Sequence, residues 1–123
     1  MFNAPKQPVL ELCAGAGINV MALLKYRASE LYLHGMNRSG LDRAFRRENS
    51  RGKHHSIVGL IYGHPANLNL EGIKARIVFS TGVLGYLDIN QAAILLEKLF
   101  KAGVQTLLLR ELITEDGQEE SVD

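Results

Sequence analysis

The segment VLELCAGAG, residues 9–17, decides the fold. It starts as an apolar run, which is typical of a buried strand, and passes after Leu12 into a loop of small residues. Apolar residues at helical spacing resume from Ile18, so we predict a helix there. Gly15 and Gly17 can adopt positive φ and leave room for a ligand to approach the backbone. Strand, glycine loop and helix in this order predict a binding site where unpaired N–H groups of the helix meet a polar ligand.

Apolar and amphipathic runs alternate along the rest of the chain. We predict strands over residues 8–12, 31–36, 56–62, 76–81 and 104–109. We predict helices over residues 18–28, from an N-cap at Ser39, and over residues 90–102 with Asn90 as the N-cap. Helices between buried strands imply right-handed crossovers, so the fold class is α/β, a doubly wound, mostly parallel sheet of about five strands. Residues 63–75 contain proline and glycine, and there we expect an irregular connection in place of a helix.

Two predicted helices indicate which of their sides is buried. Helical spacing places Leu41, Ala44 and Phe45 one turn apart on the second. On the third, the same spacing groups three further residues: Ala93, Leu96 and Phe100. We expect both sets to pack against the sheet.

The bulk composition is that of a globular chain. With 123 residues it fits one domain, and 46% hydrophobic with 22% charged residues is ordinary for such a domain. No apolar run approaches the roughly 18 residues of a membrane span, and no signal pattern opens the chain, so we expect a cytoplasmic location. The single cysteine, Cys13, excludes an internal disulfide framework, and the four histidines lack metal-site spacing, so no metal is expected.

Charge is distributed unevenly. Residues 113–123 are acidic and are predicted to form a flexible tail after a domain spanning residues 1–112. Basic residues concentrate ahead of the middle of the chain: Arg38, Arg43, Arg46, Arg47, Arg51 and Lys53. Such a stretch can attract nucleic acid phosphates, but a solvated helix face explains it as well, because no aromatic residues interleave with the arginines.

The glycine loop distinguishes two ligand classes. Dinucleotide sites use G-x-G-x-x-G, and here the third glycine position is occupied by Val20, so that interpretation is weak. The loop closely resembles motif I of class I S-adenosylmethionine (SAM)-dependent methyltransferases, an apolar residue followed by (Asp/Glu)-Leu-x-x-Gly-x-Gly. Glu11 matches the acidic position, Gly15 and Gly17 match two glycines, and Cys13 stands at the first glycine position. The resemblance implies SAM as the cofactor.

Further segments extend this resemblance in order along the chain. Residues 34–39 resemble the end of the family's second strand, residues 62–68 the stretch after its third, and residues 79–87 the stretch after its fourth. Residues 99–109 resemble the approach to the fifth. The resemblance therefore implies a compact methyltransferase with this set of cofactor-binding residues: Glu11, Cys13, Ala14, Gly15, Gly17, Asn37, Arg38, His64, Pro65, Thr81 and Gly82.

Two substitutions and one missing element depart from the family. Asn37 stands where an acid usually binds the ribose hydroxyls, and His64 stands where an Asp commonly receives the adenine amine. Charge-assisted bonds lost at these positions are roughly twice as strong as neutral ones. Typical members continue into a C-terminal hairpin, so the last strand here is expected to be an exposed apolar edge. We expect a homodimer or a partner chain to cover it.

Other roles stay open for several of these residues. Glu11 could form a structural salt bridge, Asn37 could be a turn or cap residue, and Cys13 is best explained as a small filler. Asp88 is favoured as a helix-initiating residue, although it and Tyr86 could also orient or deprotonate a substrate. No catalytic residue is assigned. Three functions remain open: a methyltransferase of unknown acceptor, a non-catalytic SAM-binding or methyltransferase-like subunit, and another nucleotide-binding Rossmann-like domain.

Overall fold

The computed structural model describes residues 5–15, 17–50 and 56–110, with residue 49 described by its backbone alone. In this part of the chain the strands are β1 Gln7–Leu12, β2 Ala28–Gly35, β3 Ile57–Tyr62, β4 Ile77–Thr81 and β5 Thr106–Arg110. The α-helices are α1 Val20–Tyr26, α2 Arg38–Ser50 and α3 Ile89–Lys101. The predicted tail over residues 113–123 lies outside the described residues. So do two of the six clustered basic residues and two of the four histidines: Arg51, Lys53, His54 and His55.

The five strands form one sheet in the order β3-β2-β1-β4-β5, and every pairing is parallel. The chain adds β2 and β3 on one side of β1 and then returns to add β4 and β5 on the other. This reversal creates a switch point at the carboxyl ends of β1 and β4, the place where open α/β sheets bind ligands. The predicted α/β, doubly wound fold is confirmed. Between β3 and β4 the chain forms only a 3₁₀ turn at Pro65–Asn67. The predicted irregular connection in place of a helix is therefore also confirmed.

Two hydrophobic cores lie on opposite faces of the sheet. Helices α1 and α2 cover one face, and α3 covers the other. Leu41 and Ala44 of α2 are fully buried and Phe45 packs beside them, as predicted. Alternate residues of β1 divide between the cores: Val9 faces α1 and α2, while Leu10 and Leu12 face α3.

Two helical predictions were wrong. Helix α1 begins at Val20, and Ile18 ahead of it is 87% exposed. On α3 the buried residues are Leu95 and Leu99. The predicted set of Ala93, Leu96 and Phe100 lies on the exposed side. Helix α3 carries apolar residues around most of its circumference, so spacing alone fits two faces, and contact with β1 and β4 selects one.

The predicted N-caps of α2 and α3 were also wrong. Asp88, not Asn90, caps α3: its Oδ1 accepts a hydrogen bond from the Gln91 amide at 2.8 Å, and the Gln91 side chain accepts from the Asp88 amide at 3.0 Å. This reciprocal pair is a capping box. At α2, Asn37 Oδ1 accepts from the Gly40 amide at 3.1 Å, and the Ser39 hydroxyl donates to the same oxygen. Asn37 is therefore the capping residue, and Ser39 lies inside the helix.

Strand β5 forms one edge of the sheet, and β3 forms the other. Among the described residues no strand pairs with its outer side, and Leu108 is 42% exposed. The predicted exposed apolar edge is present, and the homodimer or partner chain expected to cover it stays a prediction. None of the helices in the described ranges is long and apolar enough to cross a membrane.

Candidate functional site

Three glycines stand at the carboxyl edge of the sheet. Gly15 follows β1, Gly63 follows β3 and Gly82 follows β4, with φ of 58°, 128° and 93°. A Cβ added at any of the three would meet no atom within 4 Å. We call these three residues the glycine rim. Because parallel strands end on the same side, the rim gives the switch point a border of open backbone that a ligand can approach closely.

The loop after β1 is held by hydrogen bonds to β2. Cys13 has φ of 55°, and among the described residues it is the only non-glycine with positive φ. Its amide donates to Nδ1 of His34 at 3.0 Å, and the Ala14 amide donates to the carbonyl of His34 at 2.7 Å. The loop therefore turns back over β2 before it reaches Gly15.

Gly17 has a packing role of its own. It is buried, and a Cβ there would lie 2.6 Å from the Cβ of Ala44 on α2. Arg47, also on α2, donates from Nη2 to the carbonyl of Gly17 at 2.8 Å. Gly17 thus permits α2 to pack on the loop, whereas Gly15 faces open space.

Glu11 carries a fully buried carboxyl group at the end of β1. Its Oε2 accepts from the Asn19 amide at 2.9 Å, and among the described residues its Oε1 has no hydrogen-bond partner. Burial raises the pKa of Glu11 to about 7, and the hydrogen bond from Asn19 offsets part of that rise. The salt bridge to Lys or Arg weighed for Glu11 is not found in the described part of the chain. A buried oxygen without a donor is costly, and a ligand ammonium would satisfy it.

The end of β2 leads into two polar side chains. Asn37 uses its oxygen as the N-cap of α2, which leaves its amide group as a donor. The guanidinium of Arg38 lies 4.2 Å from the centre of the Tyr62 ring, a cation–π contact. The Tyr62 hydroxyl donates to Asp42, and this bond is the main cause that raises the pKa of Tyr62. Arg38 is thereby held at the end of β3.

Residues after β3 and β4 complete the edge. His64 is exposed, and its Nδ1 accepts from the Ala66 amide at 3.1 Å, so it caps the 3₁₀ turn. Pro65, the first residue of that turn, is buried. Thr81 is half-buried at the end of β4, where the next amide, that of Gly82, donates to the Arg110 carbonyl at 2.9 Å.

Two weighed alternatives are resolved by these contacts. The cap role considered for Asn37 and the helix-initiating role favoured for Asp88 are both present. Arg43 and Arg46 are exposed on α2, and a nucleic-acid interface through them stays a prediction. No group of three or more His, Cys, Asp and Glu side chains in the described ranges could hold a metal ion.

Sequence reasoning missed three residues that shape the site: His34, Gly63 and Asn19. Gly63 could have been found, since it is a glycine directly after a predicted strand. His34 and Asn19 act through contacts with Cys13 and Glu11, at separations of 21 and 8 residues, and no local pattern announces them.

Solved structures of other proteins share the fold of this chain, although its sequence has no match among family models or curated proteins. Phosphoethanolamine N-methyltransferase 1 of Haemonchus contortus, solved with phosphoethanolamine and S-adenosylhomocysteine, matches with a TM-score of 0.72 and 18% identity. The match covers 100% of this chain and 28% of that protein. The chain has the Rossmann-like fold of class I methyltransferases.

Two further methyltransferases of this fold support the same conclusion. A SAM-dependent methyltransferase of Mesorhizobium loti has a TM-score of 0.71 and 16% identity over 91% of this chain and 50% of its own. Magnesium protoporphyrin IX methyltransferase of Synechocystis PCC 6803, solved with bound SAM, has a TM-score of 0.68 and 16% identity over 96% and 54%. This chain therefore spans about half or less of the length of these three proteins, and the likeness establishes the fold.

Proposed function

We propose that this chain binds SAM at the glycine rim and is a SAM-dependent methyltransferase. The observation that carries the proposal is the rim itself, three open glycines at the carboxyl edge of a methyltransferase fold, two of which, Gly15 and Gly82, border its switch point. The neighbours solved with SAM or S-adenosylhomocysteine add support, because they share that fold.

The residues present fit such a cofactor. Glu11 would accept a hydrogen bond from the ammonium of the cofactor's amino-acid end, since one buried oxygen of Glu11 lacks a donor among the described residues. Gly15, Gly63 and Gly82 would let it lie against the backbone. The Asn37 amide would donate to a ribose oxygen.

For methyl transfer, the protein mainly has to align the cofactor with the methyl acceptor. SAM supplies, when bound, an electrophilic methyl group on a sulfonium. The chain's part is to fix the cofactor and to admit an acceptor in line with it. Tyr86, exposed after β4, is the candidate to orient that acceptor. Asp88 is a poor candidate for a general base, because its Oδ1 caps α3.

A non-catalytic SAM-binding subunit is the second candidate, and two contacts favour it. The oxygen of Asn37 and Nδ1 of His64 are both engaged by backbone amides. Neither atom is then available in place of the carboxylates that the family usually has at these positions. This candidate predicts cofactor binding without turnover.

Calorimetric titration with SAM and with S-adenosylhomocysteine tests binding. We expect micromolar affinity that is lost or strongly weakened in Gly15→Val. Gly72→Val is the matched control, since Gly72 also has positive φ, at 80°, and open space around it but lies in the turn before β4. It should leave affinity unchanged. No binding at millimolar SAM would reject the proposal, and binding of NAD without SAM would favour another nucleotide-binding function.

Turnover separates the two candidates. Wild-type protein incubated with SAM and an acceptor panel should release S-adenosylhomocysteine. Binding without release across the panel would favour the non-catalytic subunit.

A further inference from the structure

His34 joins the ends of three neighbouring strands. It lies in β2 and is fully buried. Its Nδ1 accepts from the amide of Cys13, which directly follows β1, at 3.0 Å. Its Nε2 lies 2.7 Å from the carbonyl of Gly63, which directly follows β3. One imidazole therefore connects Gly63 of the rim with Cys13, two residues ahead of Gly15, through backbone atoms.

The contacts fix the ring's tautomer. A backbone amide can only donate, so Nδ1 of His34 accepts and carries no proton. Nε2 then carries the proton and donates to the Gly63 carbonyl. Burial lowers the pKa of His34, in keeping with a neutral ring that makes both bonds.

The bond at Nδ1 acts at a strained position. Cys13 has positive φ without being glycine, a conformation that persists only where surrounding contacts impose it. The adjacent Ala14 amide is held by the carbonyl of His34. Losing the imidazole bond removes one of the contacts that impose this conformation, so we expect Cys13 to shift toward negative φ and Gly15, two residues on, to move with it.

We propose that His34 is a positioning residue that sets the glycine loop for the cofactor through its bond to the Cys13 amide. This inference rests on the proposed function, because the loop is positioned for SAM. Because the His34 side chain is fully buried, its effect on the cofactor would pass through the backbone of residues 13–15.

Two substitutions separate the two ring nitrogens. In His34→Asn, the side-chain oxygen can take the place of Nδ1 and accept from Cys13. In His34→Gln, the longer amide can donate to Gly63 but leaves the Cys13 amide without an acceptor. An amide that loses its acceptor costs a free energy that corresponds to about 10-fold in an equilibrium constant, and the loop can avoid this cost by leaving the cofactor-binding conformation. We expect His34→Gln to weaken S-adenosylhomocysteine binding by about that factor and His34→Asn to stay within about 3-fold of wild type.

The half-buried thiol of Cys13, the single cysteine of the chain, gives a readout that needs no cofactor. Iodoacetamide should alkylate it faster in His34→Gln than in wild type, and at the wild-type rate in His34→Asn. Circular dichroism would first establish that both variants are folded. A variant that unfolds would be measured again in the presence of a stabilising osmolyte.

The two readouts keep the proposals apart. If wild type binds no S-adenosylhomocysteine, the proposed function fails and the alkylation rates still test His34. Equal alkylation rates in wild type and His34→Gln, or equal acceleration in both variants, would overturn the positioning role.

Discussion

The side-chain amide of Asn19 donates to Oε2 of Glu11 at 2.9 Å, across the turn that precedes α1. Asn19 occupies the N-cap position of α1 but makes no side-chain capping bond, so its amide serves the carboxylate instead of the helix. One donor for two buried oxygens leaves Glu11 undercompensated, and this explains why its pKa rises to about 7.

The pKa of Glu11 makes stability depend on pH. Folded Glu11 keeps its proton up to about pH 7, whereas the unfolded chain releases it near the ordinary 4.5. Between these values the folded state binds more protons, so the free energy of unfolding falls as pH rises. The fall amounts to roughly 3 kcal/mol. Glu11→Gln should remove it, and the variant should be more stable than wild type at pH 8 and similar to it at pH 4.

Urea unfolding of both proteins from pH 4 to pH 8 measures this difference. The depressed pKa of His34 acts in the opposite direction, since it stabilises the fold as pH rises toward 6.5. Because His34 is present in both proteins, subtracting the two profiles isolates Glu11. Parallel profiles would show that Glu11 has the same pKa in the folded and the unfolded chain.

Gly17 is expected to be the most sensitive glycine to a small side chain. In Gly17→Ala, the new Cβ would lie 2.6 Å from that of Ala44 while φ stays at 79°. Overpacking and positive φ together should lower the free energy of unfolding by about 2–4 kcal/mol. Gly72→Ala, with φ of 80° and open space, should cost only about 1 kcal/mol.

Chemical denaturation of the two variants gives the comparison. The excess loss in Gly17→Ala measures the contact between the loop and α2, because the backbone strain is matched. Equal losses would mean that α2 can move away from the loop at little cost.

Much of the fold could be predicted from the sequence because it depends on local patterns. Five apolar runs and the intervening connections determine a parallel sheet, and the glycine loop after β1 locates its switch point. The side of α3 that is buried could not be found this way. Leu95 and Leu96 are neighbours in sequence, and only the position of the sheet decides which of them is covered.

The candidate site divides in the same way. Gly15 was predicted from the glycine loop after the first strand, and Gly82 was implied by the family resemblance of residues 79–87. The structure places both directly after strands, and their contact with a cofactor stays a prediction. The N-cap Asp88 was also within reach, since Gln91 three residues later completes a capping-box pattern. His34 was not, because its bonds join residues 13, 34 and 63, which the fold alone brings together.

The capping box of α3 makes a direct test of the corrected boundary. Asp88→Ala removes the acceptor of the Gln91 amide and should lower the free energy of unfolding by about 1 kcal/mol. Asn90→Ala changes an exposed residue within the first turn and should be nearly neutral. Thermal melts of the two variants measure this, and the reverse order of effects would restore Asn90 as the cap.

The outer edge of β5 predicts association. Within residues 5–15, 17–50 and 56–110 no strand pairs with the outer side of β5, and Leu108 adds exposed apolar surface there. A strand edge with unpaired backbone groups pairs readily with another chain. Light scattering at high concentration should therefore give a mass above the 13.6 kDa of one chain. Leu108→Lys should lower that mass, because a lysine on an edge strand opposes pairing. Val58→Lys is the control: Val58 is equally exposed, at 42%, but lies on β3 at the opposite edge. A monomer at every concentration would show that β5 stays unpaired, and a mass lowered only by Val58→Lys would move the contact to β3.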